Sequence, residues 1–325
     1  MELPAVVSAI VETELSAYEV TGRVPEGDIH REFEVVDEAG DQYVLKVAGD
    51  TEEERARVEH EAAVVGSLQE FDFVPALCGS GVVDAYPFLL FDRVEATERW
   101  GTARWETTAA RTLGETLARI HTDIEPRAEW EPSGNAHPLP ESRPPAATFE
   151  TLCELRPSDR RPLVELLPDV AAVLRETSAD RGVVHGDVTI DNVRFSSDAR
   201  ECTLVDWETA TVADAYFDVA KAELWTLQLF SPLLSVPEET ILSELRAAYG
   251  VPPSAVRRIR AHKVLQLCRM IPRIERLGPY ASWQRRVDGS CLEEVERVLE
   301  RTLRRCGFAD PLESPGTRNS SASEE

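Results

Sequence analysis

Residues 182–208 read Gly-Val-Val-His-Gly-Asp-Val-Thr-Ile-Asp-Asn-Val-Arg-Phe-Ser-Ser-Asp-Ala-Arg-Glu-Cys-Thr-Leu-Val-Asp-Trp-Glu. Asp187, Asn192 five residues later, and Asp206 at the end of a strand-like run have the spacing of a phosphoryl-transfer site. Val183-Val184 is a short apolar run of the kind that ends a buried strand, and His185-Gly186-Asp187 turns out of it. Val193-Arg194-Phe195 and Thr203-Leu204-Val205, separated by Ser196–Arg200, make a hairpin. That hairpin returns Asp206 to the side of Asn192. An amide and a carboxylate suit magnesium, which takes one or two protein oxygens together with substrate phosphates. Asp187 is then left to accept the proton of an attacking hydroxyl. A plain hairpin also uses Asp and Asn in its turns, but it gives no reason for all three groups to converge.

Working upstream, Lys46 lies inside the strand-like Tyr43-Val44-Leu45-Lys46-Val47, and only Lys221 and Lys263 accompany it in 325 residues. Alternation places Val44 and Lys46 on one face and Leu45 and Val47 on the other. A strand lysine in a phosphoryl-transfer site reaches nucleotide phosphates and is positioned by a helix glutamate. The next helix offers Glu61, beside its apolar stripe, with Glu54 and Glu59 as rivals. Thr21–His30 carries Gly22 and Gly27 before a strand, as either a phosphate loop or an ordinary hairpin loop would. Pro87–Phe91 is an apolar strand, and a purine would bond the backbone near Asp92 and Val94. Asp218 at an apolar helix start either caps it or bonds the 185–187 loop. Glu208 points the same way as Asp206, toward metal, substrate or solvent. His185 reads as a brace, and His121 as a partner for the carbonyls ending its helix.

Composition bounds the rest. The net charge is −24, so nucleic acid, which needs a basic face, is disfavoured as a partner. The acid is spread along the whole chain, which favours a salt-screened environment over a field built for one cationic substrate. No apolar run is long enough to span a membrane. The N-terminus has no signal-peptide pattern, and six scattered cysteines form no Cys-x-x-Cys pair. Free thiols in a cytoplasm are expected.

Strand patterns fill the first ninety residues and helical ones dominate afterwards. The expected class is α+β, with a small antiparallel-sheet lobe over 1–94 and a larger, mainly helical lobe over 95–310. A cleft between lobes is the default ligand site. Helices are expected at 4–19, after Thr51, at 106–122, 148–156, 161–178, 216–231, 237–249, 254–275 and 289–305, and strands at 77–83 and 87–92. Residues 125–146 read as an exposed excursion and the tail over 311–325 as disordered.

At these residues the chain resembles the aminoglycoside phosphotransferase and choline kinase-like family, a branch of the protein-kinase-like fold. The likeness rests on His185-Gly186-Asp187 with Asn192, on Val205-Asp206-Trp207-Glu208 and on Asp218-Val219-Ala220. Leu45-Lys46-Val47, His60-Glu61-Ala62, Val74-Pro75 and Leu117–His121 support it in family order. The resemblance implies a two-lobed kinase using Mg-ATP. Asp187 would be the base, Asn192 and Asp206 the magnesium ligands, and Lys46 the phosphate contact with Glu61 behind it. The acceptor would be a small-molecule hydroxyl on an aminoglycoside, amino-alcohol or sugar. For a cationic acceptor Glu208, Asp214 and Glu223 are available. The alternative is a catalytically silent kinase-like protein that binds or regulates. Such a relative usually lacks one of Lys46, Asp187, Asn192 and Asp206. A protein-directed kinase lacks support, since no Ala-Pro-Glu follows Asp206.

Overall fold

The structure, a computed structural model, describes residues 5–15, 18–23, 31–127, 130, 161–176 and 181–306. Its first part is a five-stranded antiparallel sheet in the order β1-β2-β3-β5-β4. The strands are β1 (Tyr18–Arg23), β2 (Arg31–Asp37), β3 (Gln42–Val47), β4 (Leu77–Val83) and β5 (Tyr86–Asp92). Alternation divides the sheet as the sequence requires. Phe33, Val35, Leu45, Val47, Phe88 and Leu90 pack with Val7 and Ile10 of helix α1 (Ala5–Thr13) in one core. The opposite face carries Glu32 beside Lys46, its partner in the β2–β3 register.

α1 is shorter than the expected 4–19. It stops at Thr13, and Tyr18 opens an edge strand whose ring meets Tyr43 edge-on at 5.1 Å. The alternating Tyr18 and Val20 outcompete helix because they complete that sheet face. Helix α2 (Glu52–Ser67) begins where Thr51 marks it. The Glu54 N–H donates to Thr51 Oγ1 and the Thr51 N–H donates to Glu54 Oε2, a reciprocal box that satisfies two end donors.

The larger lobe is helical: α3 (Ala103–Asp123), α4 (Arg161–Glu176), α5 (Tyr216–Ala222), α6 (Glu238–Tyr249), α7 (Val256–Leu277), α8 (Ala281–Arg286) and α9 (Cys291–Cys306). α3 starts three residues before the expected 106. It lies so close to α6 that a Cβ on Gly114 would run into the Leu245 carbonyl oxygen. α5 continues into a π-helical stretch, Glu223–Gln228. A separate α8 was not expected, since six residues bounded by Gly278 and Gly289 leave little periodicity. The expected 148–156 helix, most of the 125–146 excursion and the tail lie outside the described residues.

Two short ribbons carry the central loops. β6 (Arg181–Val184) pairs antiparallel with β9 (Thr211–Asp214), and β7 (Val193–Phe195) with β8 (Cys202–Leu204). β9 escapes the sequence reading because its four residues are too few to show a strand period. Among the described residues, no helix is long and apolar enough to cross a membrane, and Cys78, Cys202, Cys268 and Cys291 carry free thiols.

Candidate active site

Between the sheet and the two ribbons lies a cavity lined by Glu32, Val44, Lys46, Phe91, Asn192 and Asp206, among others. Lys46 is 3 % exposed at its centre. Its ammonium donates to Glu61 Oε2 at 2.7 Å and to Asp206 Oδ1 at 2.6 Å, with Glu208 Oε2 at 3.5 Å. Glu61 is thus the helix partner, buried to 1 %. Glu54 is spent on its cap and Glu59 is exposed. The second Glu61 oxygen, Oε1, accepts the Trp207 backbone N–H at 3.0 Å. One glutamate therefore ties the sheet lysine to the segment that presents Asp206.

Asp206 itself has φ +67°, a left-handed conformation uncommon outside glycine. Trp207 anchors the turn. It is fully buried, its indole N–H donates to Leu204 O at 2.7 Å, and its ring meets His185 edge-on at 4.7 Å. Strained backbone held by an over-determined surround is a signature of functional loops.

The 185–192 loop is braced from beneath. Asp218, at 0 % exposure, accepts the backbone N–H groups of His185 at 2.7 Å and Gly186 at 2.9 Å, so it braces the loop rather than capping its helix. Burial opposes its charge, but the His121 hydrogen bond and charge and the Gly186 N–H hold its carboxyl below the usual range. His121 does not serve its helix carbonyls, contrary to the sequence expectation. Its ring nitrogens meet Asp218 Oδ2 at 3.3 Å and the Tyr249 hydroxyl at 2.8 Å. Burial pushes the His185 pKa down, against the neighbouring carboxylates, and its Nε2 contacts the Val205 carbonyl. Gly186 has φ +82° and so little room that a Cβ would strike Thr209.

At the loop's end Asn192 Nδ2 donates to Asp187 Oδ2 at 2.8 Å. This bond uses the amide nitrogen and leaves the amide oxygen as a ligand atom. The other Asp187 oxygen, Oδ1, is 2.5 Å from Lys221 Nζ. Asp92 and Val94 line the cavity. The Asp92 backbone N–H, however, donates to Ala76 O and its carboxylate accepts from Cys78 Sγ. Of the pair, only Val94 can offer a backbone donor to a base.

Carboxylates outnumber cations here. Burial, with Asp206 and Glu208 close by, raises the carboxyls of Glu32 and Glu61 to about 7 despite the Lys46 charge. Burial acts against the Lys46 charge too, but Asp206, Glu61, Glu208 and Glu32 together raise its pKa well above the ordinary value. One oxygen atom each from Glu61, Asp206 and Glu208 lies within 4.8 Å of the others. An oxygen-only donor set with surplus negative charge fits a hard divalent cation.

The three acids expected to serve a cationic acceptor are committed elsewhere. Glu208 binds Lys46 and Arg57. Asp214 binds Arg258 and His262, and Glu223 binds Arg246 and Lys263. Sequence reading missed Glu32, Arg57, Arg194 and Lys221 as neighbours of the site. For Lys221 the signal was rarity: it is one of three lysines, three residues after Asp218.

A small antiparallel sheet, a buried lysine–glutamate pair and a braced loop facing a cleft define a two-lobed, protein-kinase-like fold. The family model described as "Phosphotransferase enzyme family" matches residues 21–262, and the chain belongs to that family. No curated protein sequence matches it. Among solved structures, choline kinase LicA from Streptococcus pneumoniae aligns with TM-score 0.59 at 17% identity, covering 94% of this chain and 99% of that one. The GDP complex of aminoglycoside 2'-phosphotransferase-IIIa aligns with TM-score 0.63 at 14% identity, over 92% and 98%. Amicoumacin kinase hAmiN in complex with AMP-PNP, Ca2+ and Ami aligns with TM-score 0.60 at 12% identity, over 92% of each chain.

Proposed function

We propose that this chain is a cytoplasmic small-molecule kinase that moves the γ-phosphoryl group of Mg-ATP to a substrate hydroxyl. The observation that carries the reading is the unbroken chain of contacts from Glu61 through Lys46 to Asp206, on one cavity with Asn192, whose amide in turn bonds Asp187. The solved neighbours named for choline, aminoglycoside and amicoumacin chemistry support it.

Lys46 binds the triphosphate, and Glu61 fixes the lysine's position while joining it to the Asp206 turn. The base takes its donor from the Val94 backbone, against Val44 and Phe91. Asp206 and Asn192 would hold the magnesium ion, which supplies charge neutralisation for the β- and γ-phosphate oxygens. Asp187 orients the acceptor hydroxyl and accepts its proton. The transition state is loose, so a carboxylate that mainly positions the nucleophile is sufficient. Glu208, Asp214 and Glu223 are paired internally, so these three give no argument for a polycationic acceptor over a sugar or an amino-alcohol.

The test is an ADP-release screen across amino-alcohols, sugars and aminoglycosides, run in concentrated KCl because of the −24 charge. Asp187→Asn should lower kcat about 10²- to 10⁴-fold while calorimetric Mg-ATP affinity stays within a few-fold. Unchanged turnover in that variant would remove Asp187 as the base. A silent kinase-like protein would bind Mg-ATP and release no ADP with any acceptor.

A further inference from the structure

The proposed mechanism assigns Lys46 and leaves a second lysine of the site without a role. Lys221 sits in the last turn of α5, immediately before the π-helical stretch Glu223–Gln228. Single-turn π-bulges recur at functional sites because they re-aim neighbouring side chains. The Lys221 side chain is 17 % exposed, so it is neither a free surface group nor sealed in a core. Its ammonium carries three N–H donors. One meets Asp187 Oδ1 at 2.5 Å, and a second donates to the Gly186 carbonyl at 3.1 Å. The third has no acceptor among the described residues.

Lys46 and Lys221 therefore serve different carboxylates of the site. Lys46 comes from the sheet and belongs with Asp206; Lys221 comes from the helical lobe and belongs with Asp187. In phosphoryl transfer the acceptor oxygen forms its bond to the γ-phosphorus as the bridging oxygen leaves with its electron pair on ADP. The acceptor's proton passes to Asp187. Negative charge spreads over the three equatorial oxygens, and preorganised donors aimed there are worth most. A lysine bound only to tether Asp187 would use one donor. This one is held at two points on the loop and keeps a third donor.

We propose that Lys221 is a second catalytic lysine, whose remaining N–H contacts the phosphoryl group in flight on the acceptor side. This rests on the kinase reading. The test is ADP release from Mg-ATP by the full chain, with water and with the best acceptor from the screen. Lys221→Met should lower kcat about 10²-fold, the loss expected for one preorganised donor, with KM for Mg-ATP within about threefold. Lys221→Arg should recover about a tenth of the wild-type rate.

A double-mutant cycle separates contact from tethering. If Lys221 touches the phosphoryl group, adding Lys221→Met to Asp187→Asn costs at least a further factor of about ten. If the double variant equals Asp187→Asn, Lys221 acts only through Asp187 and the proposal is overturned. A binding readout stands beside the rates. Mg-ADP with aluminium fluoride, a planar phosphoryl mimic, should raise the melting temperature of the wild type more than Mg-ADP alone. Lys221→Met should lose that extra rise, and its retention would overturn the proposal. A wild type that releases no ADP overturns both readings together; a wild-type rate surviving in Lys221→Met overturns this one alone.

Discussion

Lys46 and Lys263 are both buried, at 3 % and 2 % exposure, yet their surroundings are built to opposite ends. Around Lys46 stand Glu61, Asp206, Glu208 and Glu32, with Arg57 on the far side of Glu208. Acid exceeds base, and the surplus faces a cavity. Around Lys263 the acid has no surplus. Glu223 and Glu238 meet Lys263, Arg246 and Arg301, Gln228 accepts from Lys263 at 2.7 Å, and no lining residue of the cavity belongs to the group. Burial drives the Lys263 pKa down and Glu223 only partly restores it, whereas the carboxylates around Lys46 outweigh burial. A buried cluster balanced within itself is a brace; one left with excess charge beside a cavity is waiting for a counter-ion.

Removing each lysine in turn should have opposite effects. Lys263→Met leaves Glu223 fully buried with Arg246 alone, and breaking one partner of a buried pair costs about 3–5 kcal/mol. Chemical denaturation should show that loss, while kcat per folded molecule stays within about twofold. A variant of wild-type stability would mean that the cluster braces nothing.

Lys46→Met should do the reverse. ADP release should fall about 10²- to 10³-fold, the scale for losing one preorganised donor. The melting temperature should hold, because the Glu61 carboxyl, already raised to about 7, takes up a proton when its partner goes. Wild-type turnover in Lys46→Met would place the nucleotide elsewhere.

The same contrast explains what sequence could and could not show. Asp187, Asn192 and Asp206 were legible because they lie within twenty residues on one loop and hairpin, where local geometry decides who meets whom. Lys46 and Glu61 were legible through strand alternation and a helix stripe. Glu32 is the cross-strand partner of Lys46, but its inward direction depends on a sheet face shared by Phe33 and Val35 behind it. Lys221 joins Asp187 over thirty-four positions, and Arg246 and Lys263 join Glu223 from two separate helices. Such pairs are set by helix packing, which no local period encodes. The same limit explains why Glu208, Asp214 and Glu223 looked available for an acceptor when each already had a buried partner.

The smallest effect is a difference in sign between the two centres as pH changes. Burial lifts the Glu32 and Glu61 carboxyls from 4.5 to about 7, with the Lys46 charge opposing it. Between those values the folded chain holds protons that the unfolded chain has lost, so this centre loses stability as pH rises and levels off above about 7. Glu223 runs the other way. Burial would raise it, but the Lys263 charge and the Arg246 hydrogen bond hold it below 4.5, so its contribution is complete above 4.5 and fades only in acid. From about pH 5 to about pH 8 the Glu32 and Glu61 carboxyls titrate while Glu223 stays ionised, and the metal-free protein should lose a few degrees of melting temperature. Magnesium held by Asn192 and Asp206 would place its charge beside Glu32 and Glu61 and should flatten that slope, and its binding should release protons, measurable by calorimetry in buffers of different ionisation enthalpy. Glu32→Gln should remove part of the slope, whereas Lys263→Met should lower the whole curve and leave its shape. A melting temperature that climbs steadily over this range in the metal-free protein would show that the carboxylates around Lys46 are already neutralised. The distinction between an open centre and a closed one would then fail.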